Sequence, residues 1–220
     1  MENIIQTVLI YALPVLFAIT VHEAAHGYAA RHFGDNTAYM LGRITLNPIK
    51  HIDPMGTIAM PLLLYFATSG AFLFGYAKPV PVNFGNLHHP KRDMVWVALA
   101  GPAVNLLQAL VWGVLFYLLV GSGLTERFFI EMCKAGMMVN VVMFAFNLFP
   151  VPPLDGGRIL VGLLPFRFAV MVSRIEPWGF FIVMGLVIAN VLSAIWMRPV
   201  MGLTFGLIDT LLTPLAWLVK

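Results

Sequence analysis

Charged residues are scarce in this chain. Only 10% of its 220 residues are Asp, Glu, Lys or Arg, whereas 60% are hydrophobic. A soluble domain carries about a quarter charged residues, so the composition excludes an ordinary aqueous globule. The mean hydropathy of +0.87 indicates instead a helical protein that crosses a lipid bilayer several times. The small basic excess, 13 residues against 10 acidic ones, suits contact with anionic lipid head groups and gives no reason to predict nucleic-acid binding.

Cysteine is nearly absent, and basic residues are absent from the N-terminus. The single cysteine, Cys133, excludes an intrachain disulfide and a cysteine-ligated zinc site, and we interpret it as a packing residue. Only Glu2 carries charge ahead of the first apolar run, so the basic region of a cleaved signal peptide is missing. The sequence shows no repeat and no low-complexity tract. Residues 1–220 are therefore predicted to form one membrane-embedded domain.

Long apolar runs dominate what is present. They predict an all-α polytopic membrane protein with about five to six transmembrane helices and short extended or re-entrant segments near its functional site. Prolines at Pro79 and Pro81 forbid helix over Tyr76–Asn83 and favour an extended or hairpin path. The predicted spans are Ile4–Tyr28, Met94–Val120, Cys133–Phe149, Trp178–Trp196 and Val200–Val219, with breaks at Pro150 and Arg198–Pro199 and a loop containing Arg158, Arg167 and Arg174.

Basic residues lie in the loops on both sides of a further apolar run, Met55–Phe74. By the positive-inside rule both loops face the cytoplasm, so this run is predicted to dip into the membrane and return; otherwise the rule fails once. The orientation predicts a multi-pass membrane protein with both of these loops in the cytoplasm. The residues concerned are Arg31, Arg43 and Lys50 in the first loop and Lys78, Lys91 and Arg92 in the second.

A short polar motif, HEAAH at residues 22–26, lies at the end of the first apolar run. On a helix, His22 and His26 share a face and can offer two imidazoles to one metal ion. Glu23 is close enough to act on a water at that metal without being a ligand. Because ionisable residues inside a membrane are costly, three within five positions indicate a functional site rather than packing.

Asp155 is the best candidate for a third ligand. A catalytic zinc needs three protein ligands and one open position. Asp155 follows a span and a proline-rich stretch that cannot continue a helix, with Gly156 and Gly157 directly after it. Unwound backbone at membrane depth is tolerated where it lines a wet cavity. A helix stop with a capping aspartate is the other interpretation of this segment.

Three segments together resemble the signatures of the site-2 protease family, which consists of zinc intramembrane metalloproteases. They are His22–His26, Gly101–Asn105 (GPAVN) and Asn147–Gly156 (NLFPVPPLDG). The resemblance implies one Zn²⁺ per chain bound by His22, His26 and Asp155, with Glu23 as general base. It also implies an active site within the bilayer, nearer the cytoplasm, and substrates that are membrane-spanning helices.

The resemblance also suggests where substrate binds. It makes Asn147, Pro150 and Pro152 candidate substrate contacts. Asn105 is weaker, since it can act at the site or simply pack between helices. The run Gly75–Asn83 resembles the compact prokaryotic branch of the family, and no PDZ-like domain is evident. Extended segments within Ile44–Pro54 or Tyr76–Asn83 are predicted to pair with an unwound substrate as an added strand.

One rival function uses the same residues. A membrane transporter or channel can bind a passing metal cation through intramembrane His, Glu and Asp side chains. Such a protein needs neither Glu23 as a base nor the unwound segment beside Asp155. The sequence predicts no particular oligomeric state and no particular natural substrate.

Overall fold

The computed structural model describes residues 2–67, 75, 77–124 and 126–218, and these residues form helices and connecting loops without a β-strand. Two 3₁₀-helical turns and two π-helical turns interrupt the loops or precede longer helices. The α-helices are α1 (Glu2–His32), α2 (Thr37–Met40), α3 (Met60–Ala67), α4 (Pro90–Gly121), α5 (Arg127–Asn147), α6 (Asp155–Leu163), α7 (Phe166–Ser173), α8 (Glu176–Ile188) and α9 (Arg198–Leu218).

Four helical stretches are long and apolar enough to cross a membrane, and the described residues contain a fifth candidate if α7 and α8, bent by 67°, form one broken span. The four stretches are Ile5–His32, Pro90–Gly121, Arg127–Asn147 and Ser193–Leu218. This confirms the prediction of an all-α polytopic membrane protein. Large apolar side chains remain exposed along the helices, as lipid-facing residues do; examples are Leu9, Phe17, Leu107, Leu118 and Leu211.

The predicted break at Arg198–Pro199 is wrong. The chain turns at Asn190, which has a φ of 59°, and a π-helical turn at Ser193–Met197 then runs directly into α9. Asparagine tolerates this left-handed conformation. Pro199 follows this π-helical turn directly, and the residues on both sides of it are helical. The supposed break therefore lies inside the last span.

Two further boundaries differ from the predictions. The segment between Asn147 and Trp178 is mostly helical rather than a loop, and it places Arg158 on α6 and Arg167 on α7. The part of Ile44–Pro54 from Pro48 to His51 is a 3₁₀ helix, because Asn47 caps it through a bond from the Ile49 N–H, so this segment is not extended throughout. Residues 77–83 are neither helix nor strand, in keeping with their two prolines.

The run Met55–Phe74 is described only in part. A π-helical turn at Pro54–Ala59 leads into α3, and residues 68–74 lie outside the described residues. The described helical part is about 20 Å long at 1.5 Å per residue, less than the ~30 Å of a bilayer core. Whether the whole run crosses or re-enters stays a prediction.

The helix α4 holds the assembly together. It packs against α1, α5, α6 and α9. Glycines let the neighbours approach: a Cβ at Gly113 would collide with Leu212 of α9, and one at Gly136 of α5 would collide with the ring of Trp112. Beside these contacts, Ala109, Val141, Ile208 and Leu212 form a buried apolar cluster of α4, α5 and α9.

Candidate metal centre

Three side chains from two helices meet at one point. His22 and His26 lie on one face of α1 with their Nε2 atoms 3.1 Å apart. The Oδ2 atom of Asp155, the first residue of α6, lies 3.2 Å from the Nε2 of His22 and 3.3 Å from that of His26. Within the described residues, this is the group of His, Cys, Asp or Glu side chains that can hold a metal ion.

The shape of this triangle fits zinc. Bonds of about 2.0–2.1 Å to nitrogen and oxygen separate the ligand atoms of tetrahedral zinc by about 3.3 Å, close to the three measured edges. Asp155 Oδ2 is also buried without a hydrogen-bond donor among the described residues. Because a buried, unpartnered carboxylate oxygen is costly, a cation at this point supplies what the protein lacks.

Both imidazoles are oriented by oxygen acceptors behind them. His22 Nδ1 lies 2.6 Å from Oδ1 of Asn105, and His26 Nδ1 lies 2.7 Å from the carbonyl oxygen of Val97. An oxygen acceptor requires the proton on Nδ1, which leaves the Nε2 lone pair of each ring free for a metal. Asn105 is fully buried and therefore lies behind a ligand rather than on the cavity surface.

Gly101 lets α4 pass directly over the two rings. A Cβ at this position would lie 2.6 Å from Cε1 of His22 and would collide with the ring of His26. The small residue thus brings Asn105, one turn further along α4, to the Nδ1 side of His22. This contact explains why the sequence GPAVN accompanies the HEAAH motif.

Glu23 is held by the extended segment. Its Oε2 accepts a hydrogen bond of 2.7 Å from the Val80 N–H. The segment 77–83 is tied down at both ends, because Arg43 donates to the Lys78 and Pro79 carbonyls, and the Asn83 N–H donates to Asp35. These contacts fix the carboxylate beside the metal ligands.

Asp35 is a residue that the sequence analysis missed. It is fully buried, and it accepts hydrogen bonds from the Thr37 N–H and hydroxyl as well as from Asn83 and Asn86. Burial raises the pKa of Asp35, but hydrogen bonds from the Thr37 hydroxyl and the Asn83 N–H outweigh it and hold that pKa below its usual range. The one sequence signal was the Asp-x-Thr turn directly after α1.

The unwound segment 148–154 folds tightly onto its neighbours. A Cβ at Gly156 would collide with the Leu148 carbonyl, and one at Gly157 would collide with the backbone of Pro152. On α8, a Cβ at Gly179 would overlap the Pro152 carbonyl oxygen. These glycines therefore position the start of α6 and with it Asp155. Gly179 was not singled out by the sequence.

A cavity of about 660 Å³ opens onto the metal ligands. Asn147 lines it, and of the three prolines between Asn147 and Asp155 the one on its wall is Pro153. Pro150 is exposed outside the cavity, and Pro152 is buried beneath Gly179, so their role in substrate binding stays a prediction. Besides Glu23 and Asp155, Arg158 is the charged residue of the wall, and the apolar lining includes Ile19, Val142, Met143, Phe146 and Phe180.

The chain is similar to several known proteins. The family model for peptidase family M50 matches residues 124–190. The chain is 39% identical to the Bacillus subtilis protein named "Putative zinc metalloprotease YwhC", over 77% of this chain and 76% of that protein. It is 31% identical to "Putative zinc metalloprotease Rip2" of Mycolicibacterium smegmatis, over 81% of this chain and 66% of that protein. No solved structure matches the chain.

The membrane-spanning helices and the relatives define the class as a multi-pass membrane zinc metalloprotease with Zn²⁺ as its cofactor. The chain belongs to peptidase family M50, the site-2 protease family. The named resemblance and the predicted enzyme class are thereby confirmed.

Proposed function

We propose that this enzyme hydrolyses peptide bonds within or near the transmembrane helices of other membrane proteins, as in regulated intramembrane proteolysis. His22, His26 and Asp155 hold the zinc, and Glu23 is the general base. The observation that carries the proposal is the triangle of three ligand atoms, built into an apolar helix long enough to span a bilayer. Three protein ligands that leave one position open are the arrangement of a catalytic zinc.

The chemistry follows from where each group lies. Zinc, when bound, supplies Lewis-acid activation of the attacking water and of the scissile carbonyl. Glu23, held by the Val80 N–H, takes the proton of the water and returns it to the departing amine. Asn105 and the Val97 carbonyl keep the two imidazoles turned towards the metal throughout.

Substrate binding is assigned to the cavity and to the segment 77–83. A helical substrate hides its carbonyls in hydrogen bonds, so it must be unwound before it reaches Glu23. Pro79 and Pro81 have no N–H, and the N–H groups of Lys78, Val80 and Asn83 are bonded within the protein. The N–H groups of Ala77 and Val82 are left to pair with an added strand. Asn147 on the cavity wall is positioned to contact the unwound chain.

The catalytic roles are tested with zinc quantification and cleavage of single-span model substrates in proteoliposomes. Glu23→Gln keeps the ligands and should retain stoichiometric zinc while cleavage is lost. Asp155→Ala removes a ligand and should lose both. The matched control is Glu131→Gln, which changes an exposed carboxylate paired with Lys134 and should retain both. Normal turnover by Glu23→Gln would contradict the proposed base, and zinc uptake without cleavage of any helix would support a transporter.

We further propose that the site faces the cytoplasm in a prokaryotic cytoplasmic membrane. Its support is the basic character of the loops around Lys50, at the end of α1 that carries the metal ligands. In a Cys133→Ser background, a membrane-impermeant maleimide applied to intact cells should label Ser122→Cys and spare Lys50→Cys. The reverse labelling pattern would overturn this orientation.

A further inference from the structure

Two asparagine side chains form a buried connection between the metal centre and α5. Asn105 of α4 and Asn140 of α5 are both fully inaccessible to solvent. The Nδ2 of Asn105 donates to Oδ1 of Asn140 at 2.9 Å, and the Nδ2 of Asn140 donates to the Gly136 carbonyl at 2.9 Å. The chain of hydrogen bonds therefore runs from His22 through two amides to a backbone carbonyl.

The backbone carbonyl sets the direction of the whole chain. An amide side chain can be turned over, but the Gly136 carbonyl only accepts, so Asn140 must direct its Nδ2 there. The Oδ1 of Asn140 then faces Asn105 and accepts a hydrogen bond from its Nδ2. The Oδ1 of Asn105 must therefore face His22. The other N–H of Asn105 reaches the Ala18 carbonyl at a longer 3.2 Å. If the Asn105 amide were rotated by half a turn, its Oδ1 would face two other oxygens, the Oδ1 of Asn140 and the Ala18 carbonyl oxygen.

Close packing of α4 and α5 makes this contact possible. A Cβ at Gly136 would lie 2.6 Å from Cε2 of Trp112, so the glycine lets the two helices approach. Asn140 lies one helical turn further on, over Asn105. A buried amide in an apolar span is costly unless its groups are bonded, and this one is bonded at both ends.

We propose that Asn140 is a positioning residue for the metal centre: it fixes the orientation of Asn105, and Asn105 in turn holds His22 with its Nε2 facing the zinc. The inference rests on the proposed role of His22 as a ligand. Asn140 contacts neither the metal nor the cavity. It acts through the direction of the hydrogen bonds, because an Asn105 turned the other way would offer His22 a donor instead of an acceptor.

Two variants of Asn140 separate direction from packing. Asn140→Leu keeps the branched shape with larger methyl groups and no polar atoms, so it removes the shorter of the two contacts that orient Asn105. Asn140→Asp keeps an oxygen acceptor for Asn105, although it buries a carboxyl group. Loss of a partner behind a ligand lowers metal affinity by about 10- to 100-fold, and we expect about tenfold for Asn140→Leu and less than threefold for Asn140→Asp. Affinity is measured by competition of zinc with a chromophoric chelator at fixed pH.

The thermal stability of the same variants should follow the opposite order. A buried carboxyl group destabilises a helix bundle more than leucine does, so the metal-free Asn140→Asp protein should melt below Asn140→Leu. A residue that only filled space would give the same order for zinc affinity and stability. Equal zinc affinities for wild type and Asn140→Leu, or equal losses in both variants, would overturn the proposal. Val141→Ala is the packing control, because Val141 is the fully buried next residue of α5; it should lower stability alone.

A double-mutant cycle tests the path through Asn105. Asn105→Asp gives His22 an acceptor whichever way the carboxylate is turned. In that background, Asn140→Leu should cost no further zinc affinity. A second tenfold loss of zinc affinity would show that Asn140 acts by another route. It would refute the proposed relay, in which Asn140 acts on His22 through Asn105. If Asn140→Leu does not fold, ring-¹⁵N-histidine NMR of the zinc-loaded wild type still tests the relay, because the absence of a hydrogen-bonded Nδ1–H on His22 would refute it.

The readouts also keep the two proposals apart. Zinc affinity reports on the relay without any peptide cleavage. If Glu23→Gln cleaved substrate normally, the proposed base would be wrong, yet the affinities of the Asn140 variants would still decide the relay. If Asn140→Leu bound zinc as wild type does, the relay would fall and the protease chemistry would stand.

Discussion

The two sides of the cavity are held in different ways. On the helical wall, formed by the part of α1 that carries His22 and His26 and by the parts of α4 and α5 packed against it, the contacts of Asn105 and Asn140 are sealed from solvent. On the loop wall, residues 35–43 and 77–86, Arg43 and Asn86 make hydrogen bonds at the exposed surface. Water can replace exposed bonds but cannot replace buried ones.

This difference indicates a division of labour. The helical wall determines the positions of the two imidazole rings. Each ring is packed against Gly101 of α4 and is hydrogen-bonded through Nδ1 to a buried oxygen acceptor. The loop wall holds the carboxylate of Glu23, a residue of α1, through the Val80 N–H, and it contributes the segment that faces an incoming chain. This one hydrogen bond is only partly buried and is more easily exchanged. We therefore expect substitutions on the helical wall to alter zinc affinity. Substitutions on the loop wall should instead alter kcat/KM for substrate cleavage.

The largest effect is expected at Gly101. Gly101→Ala would drive a methyl group into both imidazole rings, so stoichiometric zinc and all cleavage should be lost. The matched control is Gly206→Ala on α9, where a Cβ meets nothing within 4 Å, and it should behave as wild type. Both are measured by metal analysis of the purified proteins. Normal zinc content in Gly101→Ala would show that α4 can move away from the imidazole rings. The helical wall would then not fix the positions of these rings.

A second large effect is expected where α8 meets the unwound segment. Gly179→Ala would push against the Pro152 carbonyl and displace the start of α6 with Asp155, at an overpacking cost of about 1–3 kcal/mol. Zinc affinity and the midpoint of thermal unfolding should both fall. Gly185→Ala on the same helix has open space and should change neither. A loss of stability with unchanged zinc affinity would show that Asp155 is positioned independently of α8.

The sequence could predict the parts of the site that depend on local patterns. His22 and His26 share a face because of their i, i+4 spacing, and the prolines before Asp155 dictate an unwound segment. The structure brings these three side chains together. Local patterns also predicted the spans, although they misplaced the last break, because the chain turns at Asn190 and stays helical through Pro199.

Long-range contacts were beyond the sequence. Nothing local distinguishes Asn140 from any other polar residue in an apolar span, and its partner Asn105 lies 35 positions away. Gly179 likewise shows its role only once α8 lies against Pro152. Arg158 was assigned to a loop, whereas one turn of α6 places it on the cavity wall. These residues depend on which helices pack together, which periodicity does not encode.

A smaller, pH-dependent effect is expected at Asp35 on the loop wall. Because its folded-state pKa is lowered, its ionised form stabilises the protein above its ordinary pKa of about 3.9, and this stabilisation is lost as pH falls through the lowered value. Asp35→Asn places an N–H against a donor, so the melting midpoint should fall near neutral pH by an amount that shrinks below about pH 4. Glu126→Gln, at an exposed position between two spans and without a side-chain hydrogen bond to the start of α5, is the control. If the difference in melting midpoint between wild type and Asp35→Asn stayed constant down to pH 3, the proposed role of the Asp35 charge would be contradicted.

The smallest effect is expected at Arg43, the residue that best separates the two walls. Its guanidinium donates to the Lys78 and Pro79 carbonyls, and Arg43→Lys replaces this fork with a single ammonium group. One surface hydrogen bond is worth about 0.5–1.5 kcal/mol, so KM for a model substrate should rise by about two- to tenfold while kcat changes little. Zinc affinity should equal that of wild type and of the exposed control Arg92→Lys. A drop in zinc affinity would show that the segment 77–83 supports the metal ligands, because the loop wall would then reach His22 and His26 through Glu23.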